Sequence, residues 1–183
     1  MKKLLFIVGS QRRNSFNLRV AREVAQMLKD RVDVAFLDYA DVPLMNQDVE
    51  FPAPAAVARV RKAVEQADGL WFFTPEYNFS YPGALKNLLD WLSRPLDASD
   101  PSRRTSVTDK KATLSAAAGR SAGAGTRAKL SELLTVMKLD LMKEPQTGIA
   151  LPGSAFGTDE FELDATQRAE LAAQADAFLA YLG

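Results

Sequence analysis

The chain has 183 residues, 47% of them hydrophobic, with 23 acidic and 23 basic side chains and a net charge of zero. That length can bury a three-layer core, and the charge balance gives no general basis for binding nucleic acid or an anionic membrane. Cysteine and histidine are absent, which excludes disulfides, redox thiols, Ser-His nucleophilic catalysis and most transition-metal sites.

The first element is a continuous apolar strand, Lys3-Leu4-Leu5-Phe6-Ile7-Val8. Its apolar run is too short for a secretory signal and is cut off by Gln11-Arg12-Arg13. No stretch approaches the roughly 20 apolar residues that span a bilayer, so the expectation is a soluble, cytoplasmic protein. The turn Gly9-Ser10-Gln11-Arg12-Arg13-Asn14-Ser15-Phe16-Asn17 follows, and Leu18, Ala21, Ala25 and Leu28 then recur at helical spacing. A helix start with free N–H groups, hydroxyls and positive charge is an anion site, and its natural anion is phosphate. Taken alone, Ser15 or Asn17 equally suits a helix cap, and the two arginines a solvated surface.

Val32–Leu37 reads as a second strand, residues 54–67 as a helix, and Gly69–Thr74 as a third, fully buried strand. The loop after it, Pro75-Glu76-Tyr77-Asn78-Phe79-Ser80-Tyr81-Pro82, lies where an α/β protein places its ligand. Tyr77 offers a face to a flat heterocycle, while Glu76, Asn78 and Ser80 offer hydrogen-bonding edges. Pro75 and Pro82 stiffen the loop; Ser80 is expected to cap the next helix, with Pro82 in its first turn. That helix spans 82–93, with Leu85, Leu88, Leu89 and Leu92 on one stripe. Residues 97–109 are polar and turn-rich, a surface loop. A fourth strand is expected at 111–117, a helix at 127–138, a fifth strand near 140–144 and a last helix at 165–182. Alternating strands and helices predict a parallel sheet with right-handed crossovers and helices on both faces. Five strands fit the order 2-1-3-4-5, which brings the loops after strands one and three together at the switch point.

Two segments carry a resemblance: Gly9-Ser10-x-Arg12-x-x-Ser15-x-Asn17, and Pro75-Glu76-Tyr77-Asn78-x-Ser80-x-Pro82-Gly83-x-Leu85-Lys86-Asn87-x-x-Asp90-Trp91. Together they resemble the NADPH-dependent FMN reductase family, flavodoxin-like enzymes that include quinone and chromate reductases. Asp41-Val42-Pro43-Leu44 is similar to the family's segment after the second strand. The resemblance implies a single flavodoxin-like FMN-binding domain over residues 1–183. The phosphate would sit among Ser10, Arg12, Ser15 and Asn17, and the ring edge along Pro75, Glu76, Tyr77, Asn78 and Ser80. The loop after the fourth strand would border the ring, with Ser115 and Gly119 nearest it. NADPH or NADH would pass hydride to flavin N5 and leave before a small acceptor (quinone, free flavin or chromate) takes the same space. That order is ping-pong, and it assigns no catalytic side chain. The family also implies a homodimer or homotetramer built around this helix; Trp91, with Leu88 and Leu92, either fills the core or faces a second subunit, and the resemblance tips the expectation to the interface.

Two other readings remain open on sequence grounds. A flavodoxin-type electron carrier shares the fold, although such carriers are usually strongly acidic. A flavin-free nucleotide module would use Gly123-Ala124-Gly125-Thr126-Arg127-Ala128, a loose GxGxxA match that follows the fourth strand rather than the first.

Overall fold

In the computed structural model, which describes residues 1–183, strands and helices alternate. They are β1 (Lys3–Val8), α1 (Phe16–Met27), β2 (Asp33–Phe36), α2 (Ala55–Gln66), β3 (Gly69–Thr74) and α3 (Gly83–Leu92). After these come β4 (Lys111–Ala118), α4 (Ala124–Val136), β5 (Asp140–Leu141), β6 (Gly148–Ala150), α5 (Ala155–Thr158) and α6 (Ala165–Leu182). Every strand pairing is parallel, and the order is β2-β1-β3-β4-β5, with β6 further along β4. The flavodoxin-like order expected from the sequence is the one found.

All six residues of β3 are buried, because a central parallel strand is covered on both faces. On one face Phe6, Trp71 and Phe73 pack against Val20 and Val24 of α1 and Phe178 of α6. On the other, Ile7, Leu70 and Phe72 meet Val60 and Val64 of α2, Leu88 and Leu89 of α3, and Leu130 of α4. The leucine stripe on α3 is therefore core, as its spacing predicts.

The fifth strand position differs from the expectation of one strand near 140–144. It is split into β5, which pairs with Lys111 and Ala112, and β6, which pairs with Ala116 to Ala118. Leu141 lies opposite Ala112 but Gly148 lies opposite Ala116, so the outer edge spends three more residues than β4 does. The gap faces Thr113 to Ser115, and Gln174 of α6 fills it. Its Nε2 donates to Thr113 Oγ1 (2.9 Å) and to the Leu114 carbonyl (3.0 Å). Its Oε1 accepts from the Thr147 N–H (2.8 Å) and from Ser115 Oγ (2.9 Å). A fully buried amide is tolerable when all its partners are present, and here four bonds are made.

Trp91 corrects a second expectation. It is fully buried within the single chain, and its indole N–H donates to the Pro43 carbonyl at 2.8 Å. Asn87 joins it, donating to the same carbonyl (2.9 Å) and accepting from the Met45 N–H (2.8 Å). These two motif residues of α3 thus pin segment 43–45, since a loop's backbone groups need partners. Trp91, Leu88 and Leu92 are all fully buried, so none is available to face a second subunit. Residues 97–109 form the expected polar loop, held by Asp97 and Asp100, which accept from Ser99 and Ser102.

Candidate functional site

A cleft of about 270 Å3 opens beyond the carboxyl ends of β1, β3 and β4, the position this topology favours for ligands. The turn after β1 contributes Ser10, Arg12, Ser15 and Asn17, and the loop after β3 contributes Pro75, Glu76 and Tyr77. Ala117, Ala118 and Gly119 form its floor. Two loops about 65 residues apart in sequence are brought together because β1 and β3 are neighbours.

Ser15 caps α1, its Oγ accepting from the Leu18 N–H at 3.3 Å. Asn17 is buried, and its amide serves one residue of β4 twice. Nδ2 donates to the Ala117 carbonyl and Oδ1 accepts from the Ala117 N–H, both at 2.9 Å. β3 ends at Thr74, opposite Ala116, so the amide extends the ladder by one step where Pro75 turns the chain away. Arg12 is half exposed, with its guanidinium 4.8 Å from the Phe16 ring centre.

The loop after β3 is a two-residue turn. Tyr77 N–H donates to the Ser80 carbonyl (2.8 Å) and Ser80 N–H to the Tyr77 carbonyl (3.0 Å). Asn78 and Phe79 have φ of 52° and 59°, the positive values that tight hairpin turns require. Three of the expected site residues lie outside the cleft lining. Asn78 and Ser80 belong to the turn, and Ser80 does not cap α3; Pro82 takes the cap position, with no side-chain bond. Ser115 lies fully buried in β4, accepting from the Trp71 indole at 3.0 Å and donating to Gln174. The reason is length: β4 runs on to Ala118, so the strand end that meets the cleft lies three residues later.

Glu76 explains the glycine-rich stretch before α4. Its Oε2 accepts from the Thr126 N–H at 2.9 Å and its Oε1 from Ser121 Oγ at 2.6 Å, so the carboxylate occupies the helix start. Gly123 has φ of 71°, and a Cβ there would come within 2.4 Å of Ala116 Cβ. A Cβ on Gly125 would come within 2.9 Å of Glu76 Oε2. The carboxylate of Glu76 thus already takes the N–H groups at the helix start that a dinucleotide pyrophosphate would use. The Ser121 hydrogen bond, with help from the Thr126 N–H, holds the Glu76 carboxyl below its ordinary value of 4.5. A lowered folded-state pKa stabilises the fold above the unfolded value and loses that contribution as pH falls through the folded one. Comparing thermal midpoints of wild type and Glu76→Gln across pH should therefore show a wild-type advantage that is full above pH 4.5, declines below it and is gone once the pH is under the lowered folded-state value. A difference independent of pH would remove the carboxylate from this role.

The cleft also contains residues that sequence reasoning missed. Leu151, Phe156 and Asp159 enter from the segment after β6. That segment has neither helical nor alternating periodicity and offered no signal. Asp159 accepts hydrogen bonds from the Arg12 guanidinium and from Asn14 Nδ2 (3.1 Å).

The family model for NADPH-dependent FMN reductases matches residues 2–151. The chain belongs to this family. An NAD(P)H-dependent FMN reductase of Pseudomonas aeruginosa is 32% identical over 163 residues, covering 88% of this chain and 85% of its own. A quinone reductase of Pseudomonas putida is 32% identical over 177 residues, covering 96% and 92%. Among solved structures, FerB, a flavoenzyme NAD(P)H:(acceptor) oxidoreductase from Paracoccus denitrificans, superposes with a TM-score of 0.86 at 28% identity. That match covers 100% of this chain and 97% of FerB. This reductase is an FMN-dependent oxidoreductase using NAD(P)H. The donor chemistry of its cleft fits the cofactor's phosphate, because the turn already holds one oxyanion, the Asp159 carboxylate, through Arg12 and Asn14.

Proposed function

We propose that this reductase carries electrons from NADPH or NADH to a small acceptor of the quinone, free-flavin or chromate class, in a ping-pong cycle. When bound, FMN supplies the hydride chemistry, and the protein supplies position and electrostatics. Ser10, Arg12 and Ser15 would hold the phosphate, with the unused N–H of Asn17 beside them. Backbone groups of Pro75 and Glu76 would fix the ring edge, and Gly119 would border its far side. Tyr77 is about half exposed and would flank the ring at the cleft mouth. No side chain is assigned an acid or base role. The whole of residues 1–183 would act as one FMN-binding domain.

The observation that carries this reading is the convergence of the turns after β1 and β3 on one cleft. Purified protein reconstituted with FMN should oxidise NAD(P)H steadily when benzoquinone is supplied, with parallel double-reciprocal lines. Intersecting lines would exclude the shared slot, and absence of steady oxidation would favour an electron carrier.

The reading extends to a cytoplasmic homodimer or homotetramer. No helix is long and apolar enough to cross a membrane. Tyr77, Phe79 and Phe156 are exposed near the cleft, which supports a covering subunit there. Size-exclusion chromatography at assay concentration would reveal it; a strict monomer would exclude it.

A further inference from the structure

Residues 152–164 link β6 to α6 and pass along one side of the cleft. Ala155 and Leu163 anchor this strap in the core shared by α1 and α6. Phe156 and Phe161 set their rings edge-on to Phe16, with centres 5.8 and 6.2 Å away. Asp159 is its polar contact with the turn after β1. Besides the bonds from Arg12 and Asn14, its own carbonyl accepts from Arg19 Nη2 at 2.8 Å. The Arg12 guanidinium, then Asn14, holds the Asp159 carboxyl below the usual carboxylate range, so it is an anion at neutral pH. The residue lines the same cleft as Ser10, Arg12 and Ser15.

We propose that Asp159 is a resident anion that competes with the flavin phosphate for Arg12, so that the phosphate enters by displacing it. This rests on the reading that the cleft takes FMN. Two anions on one guanidinium repel each other, and the repulsion is strongest where solvent is partly excluded. The existing pair is weak enough to yield, since both side chains are more than a third exposed and such pairs contribute little. A phosphate brings greater charge and three acceptor oxygens against one carboxylate. Displacement does not require unfolding, because the buried anchors Ala155 and Leu163 lie on either side of Asp159. Asp159 therefore sets how tightly the protein holds its cofactor.

The experiment titrates FMN and riboflavin into flavin-stripped wild type, Asp159→Asn and Glu160→Gln, following quenching of flavin fluorescence. Asparagine keeps the size of the side chain and tolerates the left-handed backbone (φ 59°) at this position. Glu160 is the exposed neighbour, so its variant removes the same charge outside the contact. Asp159→Asn should bind FMN roughly two- to fivefold more tightly, the scale of one exposed ion pair. Riboflavin, which lacks the phosphate, should show no comparable gain, and Glu160→Gln should match wild type. Unchanged or weaker FMN binding by Asp159→Asn would overturn the proposal. So would a gain shared by riboflavin or by Glu160→Gln. If none of the three proteins binds FMN, the flavin reading falls and this inference falls with it.

Discussion

Replacing Gln174 with leucine is expected to destabilise the protein by about 3–5 kcal/mol while leaving the fold recognisable. The magnitude follows from what the amide leaves behind. The Leu114 carbonyl faces the gap in the outer strand, the Thr147 N–H lies within the interruption, and both bond to Gln174. Each becomes a buried polar group without a partner, at roughly 1–3 kcal/mol apiece. Thr113 and Ser115 lose a bond as well, though a hydroxyl can rotate toward another acceptor. Urea unfolding should show a lower midpoint with an unchanged slope. A loss below about 1 kcal/mol would mean that water replaces the amide.

The second large effect concerns Arg12. Arg12→Ala is expected to weaken FMN binding by about 1.5–3 kcal/mol, or roughly ten- to hundredfold. The charge is half exposed, which favours the lower end. Riboflavin affinity should move far less, because the lost partner is the phosphate. Equal FMN affinity in both proteins would take Arg12 out of the phosphate site. If Asp159 competes for Arg12, adding Asp159→Asn to Arg12→Ala should bring much less than its gain in wild type, since contacting residues are not additive.

The sequence is most legible where its signals are local. The bounds of β3 and α6 follow from an unbroken apolar run and a long helical stripe, and the cleft follows once β1 and β3 are neighbours. Eight of the expected site residues line it: Ser10, Arg12, Ser15, Asn17, Pro75, Glu76, Tyr77 and Gly119. What the sequence hides is tertiary. A two-residue edge strand such as Asp140–Leu141 carries no period. Ser115 looks like a strand-end hydroxyl because the alanines after it do not say where the strand stops. Glu76 and the Gly123 stretch meet only in space, so the pattern of glycines reports a helix start able to take an anion without saying which anion. Trp91 reads equally as core or interface until Pro43 is placed beside it.

The interruption of the outer strand has odd parity, and parity decides what lines the cleft. Side chains alternate between faces along a strand, so an odd insertion swaps the two sets downstream. Leu141 joins the layer of α2, α3 and α4, whereas Ile149 and Leu151, an even number of residues further on, join that of α1 and α6. Were β6 to slip by one residue against β4, Leu151 would turn its back on the cleft and Ala150 would take its side. Changes of length between Met142 and Thr147 should therefore be tolerated where the irregular connector absorbs them and damaging where they shift β6 against β4.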